Sequence, residues 1–480
     1  MLKINPLSTL YVGIDVSSKS NYICALDFFK NKYINSSFAN NQPGAEELAL
    51  KILECLNQHP DLTMVVAALE STSVYSIHIA NYLSSCEELM RFKPYVFVLN
   101  PKCTANYKKS YIGLGKSDPI DAFVIADYAR AGNIESEPWR GSQFLALKRL
   151  TRHRLHLVEC MTREKTYLIS NLYLKFSELQ MLEGDDQPFC DIYGATSSSV
   201  LMEYLSPEEI LASSEENLIA FLAEKSCNRI KDISKTADLL KKAARDSYRL
   251  DKALYEPLNV SIASSFNCIE TFKREIKVID NAIEKEIKGL NPNAFIILQS
   301  IDGIGPVFAG GIIAEIGDIT AFHSSDALAK YAGLTWKSNQ SGDFYGEDTP
   351  MIKAGNRYLR YYLGEVANSM RKHNVEYGAY YRKKYNEVPK HQHKRALALT
   401  SRKFVRLVYG LLARNQLYSG VSLDTSIKDS NWSNLCFAMN HRSIKVTLFS
   451  EIHIKIISKI SLTYHQIAFW VYILKYGFHL

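Results

Sequence analysis

The spacing of apolar and polar positions changes period twice along the chain. Leu10–Val16 is a short apolar run of strand type that ends near Asp15. Tyr22–Phe29 and Lys32–Phe38 read as two further strands joined by short polar turns, which suggests an antiparallel meander. Gly44–Leu56 then takes helical spacing, with Leu48, Leu50, Ile52, Leu53 and Leu56. Met64–Leu69 is continuously apolar, as in a strand buried on both faces. A short helix over about 74–85, a buried strand over Tyr95–Leu99 and a helix over Pro119–Ala131 follow. From about 142 to 290 no strand pattern occurs. Ser206-Pro207-Glu208-Glu209 opens a helix there, with serine as cap and proline at the first position. Ile269, Phe272, Ile276, Ile279, Ile283 and Ile287 are spaced 3, 4, 3, 4, 4. That stripe suits a helix pair or short coiled coil, and packing within the same chain explains it equally well.

The order βββαβαβα over the first 140 residues is that of the ribonuclease H-like fold, a mixed sheet with helices on both faces. The chain therefore reads as α/β plus all-α. Residues 1–140 form the sheet domain, 141–290 a helical middle, and 291–425 a helical, glycine-punctuated domain. A tail, 426–480, turns apolar again and carries no legible motif. Hydrophobic residues make up 47% of the 480 positions and charged residues 22%, which excludes disordered, collagen-like and mucin-like chains. Nine cysteines are scattered without a C-x-x-C pair, so a zinc ribbon or disulfide framework is not expected and a cytoplasmic location is. The first residues lack the apolar core of a signal peptide, and no run approaches the ~18 apolar residues of a membrane span.

The net charge of +7 is unevenly placed. Residues 353–406 hold fourteen Lys/Arg against three acids, and 141–175 hold seven against two. Tyrosines interleave the first cluster. Cations neutralise phosphates and aromatic faces stack on bases, so such surfaces suit nucleic acid. A solvated helix face over core tyrosines gives the same pattern.

Four acids fall where a ribonuclease H-like fold gathers metal ligands. Asp15 ends the first strand, Glu70 ends the central apolar strand, and Asp118 and Asp121 open the last helix at spacing i, i+3, on one face. Hard oxygen ligands suit Mg²⁺ or Mn²⁺, and two such ions would clamp the attacking and leaving oxygens of a phosphodiester. Each acid also has a plainer explanation: Asp118-Pro119-Ile120-Asp121 fits a helix start, Asp15 a turn, and Glu70 a cap. In the second half, Asp302-Gly303-Ile304-Gly305 between two helical patterns resembles a helix-hairpin-helix turn, where backbone N–H groups approach a phosphate. A tight turn between helices would look the same. Ser341, before Gly342, lies in what reads as a flexible loop. On chemistry alone, a serine before glycine is ordinary turn material.

Taken together these segments resemble the DEDD-type transposases of insertion sequences, with a RuvC-like N-terminal domain and a serine-containing C-terminal domain. The matching pieces are Val12-Gly13-Ile14-Asp15-Val16, Glu70-Ser71-Thr72-x-x-Tyr75, Asn100-Pro101 and Lys116-Ser117-Asp118-x-x-Asp121-Ala122. In the second half they are Gly303-x-Gly305, Glu315-x-Gly317-Asp318, Ala332-Gly333-Leu334, Gln340-Ser341-Gly342, Lys353-x-Gly355-Asn356 and Leu359-Arg360. Ser73, Ser117, Glu347 and Asp348 depart from the family pattern. The resemblance implies a DNA recombinase guided by a structured non-coding RNA and working as a homo-oligomer, a dimer or tetramer. It implies that Asp15, Glu70, Asp118 and Asp121 bind Mg²⁺ or Mn²⁺, and that Ser341 takes a DNA phosphate into a phosphoserine link. It further implies that the serine of one subunit meets the acids of another, and that the helical middle associates protomers and holds RNA. Arg152, Arg154, Arg163, Gly303, Gly305, Lys353, Asn356, Arg357 and Arg360 are the expected nucleic-acid contacts. A junction nuclease that uses water and only the four acids, or an inactive nucleic-acid-binding element protein, are the competing functions.

Overall fold

The computed structural model describes residues 4–71, 74–134, 138–139, 141–337, 340–341, 344–345 and 350–419. The tail 426–480 lies outside them.

Strands β1 (Thr9–Val16), β2 (Ser20–Leu26) and β3 (Lys32–Ala39) form the expected meander. Helix α1 (Gln42–Gln58) then leads to β4 (Met64–Glu70), α2 (Tyr75–Ser85) and β5 (Tyr95–Leu99). The sheet order is β3-β2-β1-β4-β5, with β4 and β5 parallel to β1 and its neighbour. This is the ribonuclease H-like arrangement that the sequence leads one to expect. Strand β2 stops earlier than its apolar run, because Asp27 turns the chain. The Asp27 carboxylate accepts from the Asn31 backbone N–H at 2.9 Å and its side-chain amide at 2.7 Å, so Phe28 and Phe29 fall in the turn.

Two helices follow β5 where one was expected: α3 (Pro101–Lys108) and α4 (Asp118–Arg130). The start signal of α3 is in the sequence, since Asn100 accepts from the Lys102 N–H and Pro101 takes the first position. Its apolar stripe is not, because Thr104 is its one buried residue. One face of the sheet packs α1 and α2 through residues such as Ile14, Leu48, Ile52 and Leu83. The other packs α4 through Tyr11, Val66, Phe97, Ile125 and Ala126.

The middle is built on two long antiparallel helices, α5 (Ser142–Lys175) and α10 (Lys252–Leu290). Between them run α6 (Ala195–Glu203), α7 (Pro207–Ala212), α8 (Glu215–Ser226) and α9 (Ile233–Asp246). Of the isoleucine stripe, Ile269, Ile276, Ile283 and Ile287 are buried within this chain. Leu168, Leu172, Leu240 and Ile262 share one core, but Leu147, Ile283 and Ile287 belong to the core of the C-terminal helices. The boundary between cores therefore falls inside α5 and α10 rather than at residue 290. The remaining helices are α11 (Pro292–Gln299), α12 (Pro306–Ile316), α13 (Ser325–Ala332), α14 (Arg357–His373), α15 (Val375–Asn386) and α16 (Gln392–Arg414). Between α13 and α14, β6 (Thr335–Trp336) pairs with β9 (Met351–Ile352), and β7 (Gln340–Ser341) pairs with β8 (Phe344–Tyr345). Among the described residues no helix is long and apolar enough to cross a membrane.

Candidate active site

The acid site is assembled by one close backbone approach. Side chains alternate across a sheet, so Tyr11, Gly13 and Asp15 of β1 share a face, as do Val66, Ala68 and Glu70 of β4. Ile14 and Leu69 are in register, which puts Asp15 and Glu70 one step further at the same sheet edge. On that face Gly13 meets α4 directly: a Cβ there would stand 2.2 Å from the Ala122 carbonyl oxygen and 2.3 Å from the Ala126 nitrogen. Only glycine lets the helix lie this close to β1. The first turn of α4, with Asp118 and Asp121, then overhangs the edge where Asp15 and Glu70 end.

The four acids feel one another. Asp15 is half-buried, and burial together with the charges of Asp121, Asp118 and Glu70 pushes its carboxyl up to about 6, against a smaller opposing pull from Lys108. The α3 helix adds two groups that the sequence did not point to. The Thr104 hydroxyl donates to the Glu70 carboxylate, and the Lys108 ammonium donates to Asp121. Behind them, the fully buried Asp127 accepts from Tyr107 at 2.8 Å, from Tyr111 and from Arg130 at 2.6 Å. Burial alone would raise the Asp127 carboxyl, but these donors hold it below its ordinary value. Lys30 adds a fourth contact at 3.3 Å. Asp127 thus anchors both ends of the Tyr107–Tyr111 stretch to α4.

Four hard oxygen donors, one of them raised by burial and by the charges of the other three, fit a divalent cation in chemistry. As they stand, however, no three His, Cys, Asp or Glu side chains among the described residues are gathered closely enough to hold one. The donor set fits the ion in chemistry; closing on it requires the side chains to move.

The basic residues of α5 and of the C-terminal helices are used differently. Arg152 gives a bidentate pair, 2.8 and 3.0 Å, to Glu315, which is buried in the apolar α12. Asn356 caps α14 and donates to the same carboxylate at 2.7 Å. Arg154 pairs with Asp280 of α10. Arg357 pairs with Glu159 at 3.0 Å. Arg360 donates to the carbonyls of Ala332 (3.0 Å) and Lys353 (3.1 Å), bracing the chain on either side of the β6–β9 pair. These arginines were expected at phosphates; in the structure each also has a protein oxygen as partner. Arg163 and Lys353 remain exposed. Gly303 has φ +89° and its carbonyl accepts from Ser369 at 2.8 Å; Gly305 caps α12. Of the interleaved tyrosines, Tyr362, Tyr377 and Tyr381 are core residues.

Ser341 sits in a two-residue strand, not an open loop, although Gly342, Glu347 and Asp348 beside it lie outside the described residues. The β6–β9 and β7–β8 pairs are nested, and Lys337 N–H reaches the Pro350 carbonyl at 3.0 Å between them. Ser341 thus belongs to the inner of the two nested strand pairs.

Residues 12–177 match a transposase family of the DEDD IS110 type, and residues 296–382 match the transposase IS116/IS110/IS902 family. The chain is 24% identical to a 42 kDa protein of insertion element IS900 from Mycobacterium paratuberculosis, over 85% of this chain and 97% of the relative. It is also 24% identical to a 44.8 kDa protein of insertion element IS116 from Streptomyces clavuligerus, over 85% and 96%. A pilin gene-inverting protein of Moraxella lacunata is 26% identical over 33% of this chain and 46% of the relative.

Proposed function

Given that the chain belongs to the IS110-type DEDD transposases of insertion elements, we propose that it recombines element DNA by cutting strands at the four-acid site and rejoining them through a phosphoserine on Ser341. The observation that carries the cutting half is the convergence of Asp15, Glu70, Asp118 and Asp121 from β1, β4 and α4 on one sheet edge, where their charges act on Asp15. Mg²⁺ or Mn²⁺ held by these four would supply Lewis-acid stabilisation of the charge that builds on the phosphate oxygens. The chain's own part is to orient the strand and to present the attacking oxygen.

In the cutting step, the Ser341 hydroxyl gives up its proton as its oxygen bonds to phosphorus, and the strand oxygen leaves, taking a proton. The phosphodiester's energy is kept in the serine ester, so a new strand hydroxyl reverses the step and frees the serine. The likeness to a protein named for inverting a pilin gene supports rejoining over simple hydrolysis, because inversion of a segment must reseal every cut strand. The β6–β9 pair braced by Arg360 supports a positioned serine. Guidance by a structured RNA, and a homo-oligomer in which the serine of one subunit serves the acids of another, rest on the family resemblance set out above.

The test is denaturing electrophoresis of labelled element-end DNA with protein, RNA from the element's non-coding flank, and Mg²⁺. A shifted covalent adduct is expected with the wild type, lost in Ser341→Ala and absent without the RNA. Cleavage with no adduct would replace this mechanism by water-using nuclease chemistry.

A further inference from the structure

The α3 helix brings a cation, Lys108, to the acid site. Lys108 is its last residue, and its ammonium rests on Asp121 with both side chains about three-quarters covered, 21% and 25% exposed. The backbone under it has little room to shift. Tyr107 precedes it and Tyr111 follows, and both hydroxyls are held by the buried Asp127 of α4. Thr104, one turn earlier, is held by Glu70. What can move is the four-carbon stem of Lys108. The four acids are meanwhile not gathered closely enough to hold an ion as they stand.

From this arrangement we infer that Lys108 is a displaceable internal counter-ion, which holds Asp121 in the metal-free protein and must leave it when a divalent cation is bound. The inference rests on the metal-site proposal above. Physical chemistry favours the exchange. A divalent ion carries twice the charge and takes several oxygens at once, whereas an ammonium is a point charge on one carboxylate oxygen. Lysine also suits the role better than arginine, whose planar fork would take both carboxylate oxygens and release them less readily. Lys108 is thus a positioning residue: it sets how strongly the acids attract the metal and keeps their mutual repulsion in check until the metal arrives.

The experiment is Mn²⁺ binding to the full-length protein, followed by the loss of the free-ion electron paramagnetic resonance signal. Lys108→Met and Lys108→Gln remove the competing cation and should each bind Mn²⁺ about tenfold more tightly than the wild type. Lys108→Arg keeps the charge and should bind no more tightly than the wild type, which a purely structural role of the side chain would not produce. Asp121→Asn should abolish the gain in either neutral background. Unchanged or weaker binding in both neutral variants, with Asp121→Asn still reducing affinity, would overturn the counter-ion role and leave the metal site standing. No Mn²⁺ bound by any variant would remove the metal site and this inference together.

Discussion

The two halves of the molecule handle charge in opposite ways. At one end of the N-terminal sheet, burial and the charges of Asp121, Asp118 and Glu70 together raise the Asp15 carboxyl, with Lys108 pulling the other way from its place on Asp121. In the C-terminal half the sequence carries its largest excess of cations, yet much of that charge is consumed internally. Arg402 serves Asp326, Lys403 serves Glu376, Lys384 and Arg395 share Glu387, and the buried Glu315 draws in Arg152 from α5. Uncompensated like charge is costly to fold and is expected where chemistry uses it; compensated charge is architecture. A count of Lys and Arg along the chain cannot tell the two apart.

The strongest way to break this contrast is at the acid site. Asp15→Asn should lower strand cleavage by on the order of a thousandfold or more, because on the proposed mechanism Asp15 is one of the ligands of the transition-state charge clamp. DNA binding should stay within about twofold, since the basic residues are untouched. Single-turnover cleavage beside a filter-binding titration measures both. Cleavage retained at full rate would mean that the crowded acids are not the site.

The next effect lies in the compensated half. Arg152→Ala leaves the Glu315 carboxylate buried at 2% exposure with its main partner gone. Removing one member of a buried pair costs about 3–5 kcal/mol. The variant should show a markedly lower denaturant midpoint, and Arg152→Ala with Glu315→Gln together should recover part of it. If Arg152→Ala left stability unchanged and weakened DNA binding, Arg152 would be a phosphate contact after all.

These differences also explain what the sequence could and could not disclose. The order of elements, the acids and their placement at strand and helix ends were legible because burial on two faces writes continuous apolar runs, and because a helix start has its own residues. Helix α3 was missed because it buries one side chain, so periodicity had nothing to register. Lys108 and Thr104 reach the site through that helix and were missed with it. Glu315 was visible as a lone acid in the apolar stretch Pro306–Ile316, but its partner Arg152 is 163 residues away, beyond any local pattern. Gly13 stood inside a recognisable motif, while its purpose, the contact with Ala122 and Ala126, needed the packing of α4.

A third mode of holding charge sharpens the contrast by pH. Lys175 is wholly buried and its ammonium donates to the Leu201 carbonyl at 2.7 Å and to Asn259 at 2.6 Å, neither of them an acid. Burial lowers its pKa from 10.5 to about 8, with a small opposing pull from Glu209. Between those two values the unfolded chain keeps a proton that the folded chain has lost. The unfolded state binds more protons there, so this residue's contribution to stability rises with pH from about 8 to 10.5, by ~3 kcal/mol in total. Below pH 8 the burial penalty is present in full. Thermal denaturation of wild type and Lys175→Met across pH 7–10.5 should show a gap between their melting temperatures that shifts in favour of the wild type as pH rises. A gap that does not change with pH would mean that the folded chain keeps the Lys175 proton as long as the unfolded chain does, so that burial does not lower its pKa.

The smallest effect separates free from committed cations most directly. Arg154 and Arg163 lie nine residues apart on α5, and the sequence assigned both to nucleic acid. Arg154 is spent on Asp280, whereas Arg163 is exposed and its described partner is the Cys160 sulfur at 3.1 Å. Each cation that neutralises a phosphate adds about −0.9 to the slope of log affinity against log salt on duplex DNA. Arg163→Ala should therefore make the slope shallower by about that amount. Arg154→Ala should leave the slope unchanged while lowering thermal stability, because its charge already belongs to a carboxylate. Binding isotherms at four or more salt concentrations, run beside melting curves of both variants, give the two readouts. A shallower slope for Arg154→Ala would show that Asp280 yields its partner to DNA, and the division between structural and recognising cations on α5 would then have to be redrawn.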